Sequence, residues 1–130
     1  MKIIESITET FADYDGYVLD LWGVVHDGRT PYPGAVAALH AMKAAGKRVA
    51  FLTNAPRRSW FIDKMLVGMG ITPDMHDGIM SSGEATWMLL KSASDARFTG
   101  RAFHIGPERD LSVVDEGVAE LVAEPGDAQY

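Results

Sequence analysis

The chain of 130 residues contains no cysteine. This absence excludes disulfide bonds, thiolate catalysis and cysteine-ligated metals, and a reducing, cytoplasmic setting is the default expectation. The four histidines, His26, His40, His76 and His104, lack the spacing of zinc ligands. No apolar run reaches membrane-spanning length, and the first residues lack the apolar core of a signal peptide. We therefore expect a cytoplasmic protein with no membrane partner.

Basic residues are also scarce: 12 Lys and Arg face 18 Asp and Glu, which gives a formal net charge of −6. A chain this acidic offers no basic surface to nucleic acid, so we predict no nucleic-acid partner. It can still bind phosphate locally, through a metal ion or the amino terminus of a helix. The length suits one modest domain or part of a larger one.

What the sequence does contain is an alternation of apolar strands and amphipathic helices. Helical spacing is predicted around Ile3, Ile7 and Phe11, after Pro33-Gly34, after Pro56, and after the capping-box pair Ser81 and Glu84. Strands are predicted at 17–20, 47–54, 78–81, 102–105 and 118–123. This alternation predicts an α/β fold with a largely parallel sheet and right-handed crossovers.

The first predicted strand ends in a carboxylate, Asp20, which is followed by Trp22 and Gly23. Open α/β sheets bind ligands at the carboxyl ends of their strands. A carboxylate there can attack phosphorus to form an aspartyl-phosphate, with Mg²⁺ offsetting the repulsion between the anions. The alternative is a helix-capping or turn aspartate. We interpret Asp13 to Gly16 as a turn at the opposite end of the strand.

The second strand runs into Thr53 and Asn54, just before a helix. A hydroxyl and an amide there can bind phosphate oxygens beside the N–H groups that begin the helix. The alternative for the pair is ordinary turn chemistry. Arg57 and Arg58 are candidates to clamp a substrate phosphate, although two charges on an exposed first turn are more often simply solvated.

These motifs resemble a known family. Asp20-Leu21-Trp22-Gly23-Val24 and Leu52-Thr53-Asn54 resemble motifs I and II of the haloacid dehalogenase superfamily. The detail is similar to its class IIA branch, which holds the NagD-like and p-nitrophenylphosphatase-like phosphatases. The resemblance extends from about residue 10 to about residue 125, and its further motifs are Pro33-Gly34-Ala35, Thr53 to Ser59, and Ser81 to Thr86.

The resemblance implies a Rossmann-like parallel sheet with helices on both faces, Mg²⁺, and hydrolysis of a small phosphorylated metabolite. Carried over by position, Asp20 is the nucleophile and a metal ligand, Thr53 binds phosphate, and Asn54 shapes the substrate side of its loop. Trp22 stands where active members usually have an acid–base aspartate. Its backbone carbonyl can still bind the metal, but an indole cannot act as an acid or base.

Three consequences of Trp22 stay open: slow turnover, substitution by Asp27 or His26, or loss of hydrolysis. The last would leave a non-catalytic phosphate- or nucleotide-binding module, or a pseudo-enzyme.

The family also places further catalytic residues beyond residue 130. We therefore expect the chain to be the amino-terminal portion of a longer enzyme, inactive alone. Residues 1–96 would belong to the incomplete core, and residues 97–130 would form the first βα unit of a truncated class IIA (C2-type) cap. An incomplete fold leaves apolar surface exposed, which favours a homodimer.

Overall fold

In the computed structural model, residues 3–92, 96–98 and 100–130 are described. Strands and helices alternate along them, as the sequence predicts. Their order is β1 (Gly16–Leu19), α1 (Ala35–Ala44), β2 (Arg48–Thr53), α2 (Ser59–Gly68), β3 (Gly78–Ser81), α3 (Ser82–Ser92), β4 (Arg101–Ala102) and β5 (Glu120–Leu121). Among these residues, no helix is long and apolar enough to cross a membrane.

The first three strands form one sheet in the order β1-β2-β3. Strands β1 and β2 are parallel, with Gly16 opposite Arg48 and Leu19 opposite Phe51. Side chains alternate across a strand, and Phe51 is accordingly buried while its neighbour Leu52 is exposed. The parallel α/β architecture predicted from the sequence is confirmed.

The chain divides into two compact units, of which the first comprises Met1–Thr53 and Trp60–Met80. Its core includes Leu39 of α1 and Leu66 of α2, which are 1% and 0% exposed. Burying an aliphatic side chain of this size contributes about 1.5–3 kcal/mol. Helix α1 ends at Ala44, and Gly46 follows shortly after with a φ of 71°, the left-handed conformation that glycine adopts at low cost just past the end of a helix.

The second unit comprises Asn54–Ser59 and Ser81–Tyr130. It contains α3, the short parallel pair β4 and β5, and the 3₁₀ segment Glu108–Gly117. Residues 93–95, just before the predicted boundary between residues 96 and 97, lie outside the described residues. The division into 1–96 and 97–130 stays a prediction.

The prediction of an amphipathic helix at the amino terminus is wrong, because the described residues there form a 3₁₀ turn, Ile7–Thr10. Ser6 and Glu9 form a capping box that begins this turn. The Thr10 hydroxyl then bonds to the Ile7 carbonyl and to the Tyr17 hydroxyl. Short hydroxyl side chains that bond locally compete with continuation of a helix.

The predicted strands at 102–105 and 118–123 are shorter than expected, because β4 and β5 have two residues each. The N–H of Phe103 donates to the carbonyl of Tyr130 at 3.1 Å, and the N–H of Gln129 donates to the carbonyl of Arg101 at 2.7 Å. The carbonyls of Gly100 and Ala102 accept N–H groups of Glu120 and Val122, so the segment at the end of the chain bonds to the edge of β4 that faces away from β5.

Candidate active site

Asp20 follows the last residue of β1, and Thr53 is the last residue of β2. Since Leu19 lies opposite Phe51 in the parallel register, Asp20 and Thr53 lie at the same edge of the sheet, at the carboxyl ends of neighbouring strands. The Asp20 side chain is exposed, and its Oδ1 accepts the Leu21 N–H at 2.7 Å. The sheet thus presents a carboxylate where ligands bind in parallel α/β folds.

The loop after Asp20 is closed by its own backbone. The Leu21 carbonyl accepts the N–H groups of Val25 at 2.8 Å and His26 at 3.1 Å, while the Gly23 N–H donates to the His26 carbonyl at 2.9 Å. These bonds use the groups on either side of Trp22 rather than the Trp22 carbonyl. The φ of Gly23 is 81°, which glycine adopts at little cost. The loop therefore fixes the backbone of Trp22.

The Trp22 side chain is 74% exposed. Its ring lies 3.9 Å from the position that a Cβ on Gly28 would take. The indole is thus an exposed group at the edge of the loop rather than part of the core.

His26 is the buried histidine of this loop, with 4% exposure. Its Nδ1 accepts the Gly28 N–H at 2.9 Å, and its Nε2 is buried without a partner among the described residues. Burial lowers the pKa of His26, against the opposing effect of the carboxylates of Asp27 and Asp20. The ring is therefore neutral at pH 7, and because Nδ1 is an acceptor, the proton lies on Nε2.

The Asp27 carboxylate stabilises the turn that it begins, at residues 27–30. Its Oδ1 accepts the N–H groups of Arg29 and Thr30, each at 2.8 Å, and its Oδ2 lies 3.4 Å from the Thr30 hydroxyl. The Thr30 and Arg29 N–H groups lower the pKa of Asp27, so it stays ionised near neutral pH. Its carboxylate is committed to loop structure.

In the second unit, the segment 54–59 lies against the start of α3. The Ala55 carbonyl accepts the Gly83 N–H at 3.1 Å and the Ser82 hydroxyl at 2.9 Å. The Arg57 carbonyl accepts the Ser81 hydroxyl at 2.5 Å. Sequence reasoning identified these serines only as a motif and a helix cap. They in fact fix the segment that carries Asn54 and Arg57.

Arg58 is 7% exposed, so the expectation of a solvated side chain is wrong. Its Nε donates to Glu84 Oε2 at 2.8 Å, and its guanidinium lies 3.5 Å from the centre of the Trp87 ring. Glu84 also accepts the Ser59 N–H at 2.8 Å. Burial raises the pKa of Glu84, but the bonds from Arg58 and Ser59 outweigh it and leave the pKa below its usual value. Arg58 is therefore a structural residue.

The predicted cap of α3 is half confirmed. The Glu84 N–H donates to the Ser81 hydroxyl at 2.9 Å, as a capping box requires. The Glu84 carboxylate, however, turns to Arg58 and Ser59.

Asn54 is exposed, and Arg57 is half-buried with its Nε 3.0 Å from Asp110 Oδ1. Both belong to the second unit, whereas Asp20 and Thr53 belong to the first. Phosphate binding by Asn54 and Arg57 stays a prediction.

A divalent metal has two candidate ligands on the first unit, the Asp20 carboxylate and the Trp22 carbonyl. Both are hard oxygen donors, which suit Mg²⁺, and Mg²⁺ commonly takes few protein ligands beside waters and substrate phosphate. The described residues form no cluster of three or more His, Cys, Asp or Glu side chains. The donor set therefore fits a loosely held Mg²⁺ better than a metal caged by the protein.

Comparison with known proteins shows the family of the chain. Residues 17–118 match the haloacid dehalogenase-like hydrolase family, and the chain belongs to that family. It is 49% identical over 50 residues to glycerol-3-phosphate phosphatase of Homo sapiens, covering 38% of this chain and 16% of that protein. It is 34% identical over 92 residues to the sugar-phosphatase AraL of Bacillus subtilis (strain 168), and the match covers 70% of this chain and 34% of that protein.

Solved structures show the same fold. A haloacid dehalogenase-like hydrolase from Brucella suis 1330 aligns with a TM-score of 0.82 and 31% identity, over 97% of this chain and 44% of that one. Glycerol phosphate phosphatase Rv1692 from Mycobacterium tuberculosis, solved in complex with magnesium, aligns with a TM-score of 0.62 and 24% identity, over 90% and 34%. The latter likeness concerns the fold alone. In every case this chain spans less than half of the relative's length.

Proposed function

We propose that this protein is a Mg²⁺-dependent phosphatase of class IIA that acts on a small phosphorylated metabolite through an aspartyl-phosphate on Asp20. The observation that carries the proposal is the register of β1 and β2, because it puts the Asp20 carboxylate and the Thr53 hydroxyl at one edge of the sheet. The two curated relatives are phosphatases of glycerol 3-phosphate and of sugars, which supports a substrate of this size.

In the proposed reaction, an Asp20 oxygen forms a bond to phosphorus as the bond to the leaving group breaks. Thr53 would bind a phosphate oxygen through its hydroxyl, and Asn54 and Arg57 would support the substrate side. Bound Mg²⁺ would reduce the repulsion between carboxylate and phosphate, with Asp20 and the Trp22 carbonyl as its protein ligands. Hydrolysis of the aspartyl-phosphate then restores the carboxylate.

The test is phosphate release by the complete gene product, with Mg²⁺, from a panel of phosphorylated compounds. Asp20→Asn keeps the size of the side chain but removes the nucleophile, so we expect activity to fall to background. Asp13→Asn is a matched control, because Asp13 is an exposed aspartate before β1, away from the edge that carries Asp20. Unchanged activity in Asp20→Asn would disprove the assignment. The same assay on the 130-residue chain tests our expectation that it is inactive alone.

Trp22 motivates a second candidate function, a non-catalytic phosphate- or nucleotide-binding module. It predicts that inorganic phosphate binds in the presence of Mg²⁺, measured by titration calorimetry, while no compound in the panel is hydrolysed. Detectable turnover that depends on Asp20 excludes this candidate.

We also propose a cytoplasmic homodimer. Exposed apolar side chains on neighbouring strands, Val18 of β1 and Leu52 of β2, support the dimer, and the absence of cysteine fits a reducing compartment. Light scattering after size exclusion tests it, and a monomer at micromolar concentration would contradict it.

A further inference from the structure

The loop after Asp20 contains a nucleophile at its start but no side chain suited to proton transfer. Trp22 is the first case. Its indole N–H is only a donor, and it neither gains nor loses a proton in the working range of a protein. The side chain that is exposed beside the site therefore contributes no acid or base.

His26 cannot fill the role. The Gly28 N–H, 2.9 Å from Nδ1, occupies the ring nitrogen that could accept a proton. The other nitrogen, Nε2, already carries the proton, so it cannot take one from water. Releasing that proton would leave an imidazolate, which is far too basic to form. With 4% exposure, the ring also has almost no surface that a substrate could touch.

Asp27 cannot act as the acid or base either. Both of its oxygens face donors of its own turn, the N–H groups of Arg29 and Thr30 and the Thr30 hydroxyl. An ionised carboxylate has no proton to give to a leaving group. Accepting one from water would sacrifice the bonds that shape the loop.

We propose, resting on the phosphatase function proposed above, that this protein selects substrates whose leaving group departs as a stable anion. Aryl phosphates, acyl phosphates and phosphoanhydrides meet this requirement, and alkyl phosphates such as sugar phosphates do not. The distinction arises because a general acid is needed only where the departing oxygen is strongly basic. The preference differs from the substrates named for the two curated relatives.

The first step balances without a proton from the protein. The Asp20 oxygen bonds to phosphorus, the bond from phosphorus to the leaving oxygen breaks, and that oxygen keeps the electron pair as a phenolate, carboxylate or phosphate. An alkoxide would have to leave as a strong base. Lack of a positioned acid slows that reaction by about 10²–10⁴-fold.

In the second step, water bonds to phosphorus, Asp20 leaves as its carboxylate, and the water proton passes to the phosphate product or to solvent. Since no base in the loop assists, this step is slow. The phosphorylated form of Asp20 therefore accumulates during turnover of a good substrate, and p-nitrophenolate appears as a burst.

The experiment compares kcat/KM for p-nitrophenyl phosphate and for glycerol 3-phosphate, using the complete gene product with Mg²⁺. We expect the aryl-to-alkyl ratio to be at least about 10² in the natural protein. Trp22→Asp supplies an acid–base group and should lower the ratio at least about tenfold. Trp22→Asn has the same shape without the proton chemistry and should not lower it. Val24→Asp, at an exposed position in the same loop, controls for added charge and should also leave the ratio unchanged.

The outcomes separate the two proposals. Comparable rates for the aryl and alkyl substrates in the natural protein would overturn the leaving-group preference and leave the phosphatase function intact. A similar fall in the ratio for Trp22→Asn and Trp22→Asp would also overturn it, because the effect would then be one of size. Absence of both phosphate release and phosphorylated Asp20 with every substrate, as judged by intact mass, would overturn the phosphatase function itself.

Discussion

Gly83→Ala tests how the segment that follows β2 is held. Gly83 is the second residue of α3, and it is buried. A Cβ added there would lie 2.6 Å from the carbonyl carbon and oxygen of Arg57, and closer still to the Arg57 nitrogen. All three are backbone atoms, so no side-chain rotation can relieve the contact. The Ser81 bond to the Arg57 carbonyl further restricts the segment.

The expected magnitude follows from two opposing terms. Extra volume in a packed site typically costs about 1–3 kcal/mol, and an unyielding backbone contact belongs at the upper end of that range. Alanine is the better helix former by about 1 kcal/mol, which offsets part of the cost. We therefore expect Gly83→Ala to lower the free energy of unfolding by about 1–2 kcal/mol.

Urea titration followed by far-ultraviolet circular dichroism measures this change, provided that the slope of the transition is unaltered. Gly68→Ala is the matched control: Gly68 is the last residue of α2, and no atom lies within 4 Å of its added Cβ. The control should gain up to about 1 kcal/mol from helix propensity. If Gly83→Ala were as stable as Gly68→Ala, the contact between the 54–59 segment and α3 would be refuted.

Two further predictions concern charged side chains. Glu84→Gln should destabilise the protein at pH 7 by about 1–3 kcal/mol, because buried Arg58 loses its ionised partner. Since the folded pKa of Glu84 lies below its unfolded value, its contribution is present above about pH 4.3 and is lost as the pH falls through the folded pKa, so urea titrations of protein and variant should converge in acid. Asp27→Ala removes the acceptor for the Arg29 and Thr30 N–H groups and should speed proteolysis within residues 27–31, whereas Asp27→Asn, which keeps an acceptor oxygen, should change it less; equal cleavage of the two variants would contradict the turn assignment.

The sequence predicted those parts of the fold that depend on local pattern. Strand β2 contains a run of apolar residues in which buried and exposed positions alternate, and Gly46, just past the end of α1, has a positive φ. The strand and the end of the helix could therefore be located from residue types alone. The amino-terminal helix could not be excluded in this way. Apolar spacing favoured it, while hydroxyl bonds of Thr10 to Ile7 and Tyr17 favour a short turn, and the bond to Tyr17 depends on where a strand lies.

The candidate site also has one part that local sequence pattern predicts and another that depends on tertiary contacts. The position of Asp20 follows from an apolar strand that ends in a carboxylate, and the register with β2 agrees with it. The role of Glu84 could not be predicted from the sequence. Its partners Arg58 and Ser59 precede it by 26 and 25 residues and contact it only through tertiary structure. Sequence spacing showed a cap, and only the packed structure shows an ion pair that fixes the segment after β2.

Because Trp22 is exposed, its effect on the chemistry of the loop can be tested without disturbing the fold of the loop. A side chain that is 74% exposed buries little apolar area, so its replacement should cost little stability. The loop is instead shaped by backbone bonds to Leu21 and Gly23 and by the turn at Asp27, none of which involves the indole. A change in substrate preference on replacing Trp22 therefore reports what stands beside the Asp20 carboxylate, since the backbone that positions that carboxylate is held by other groups.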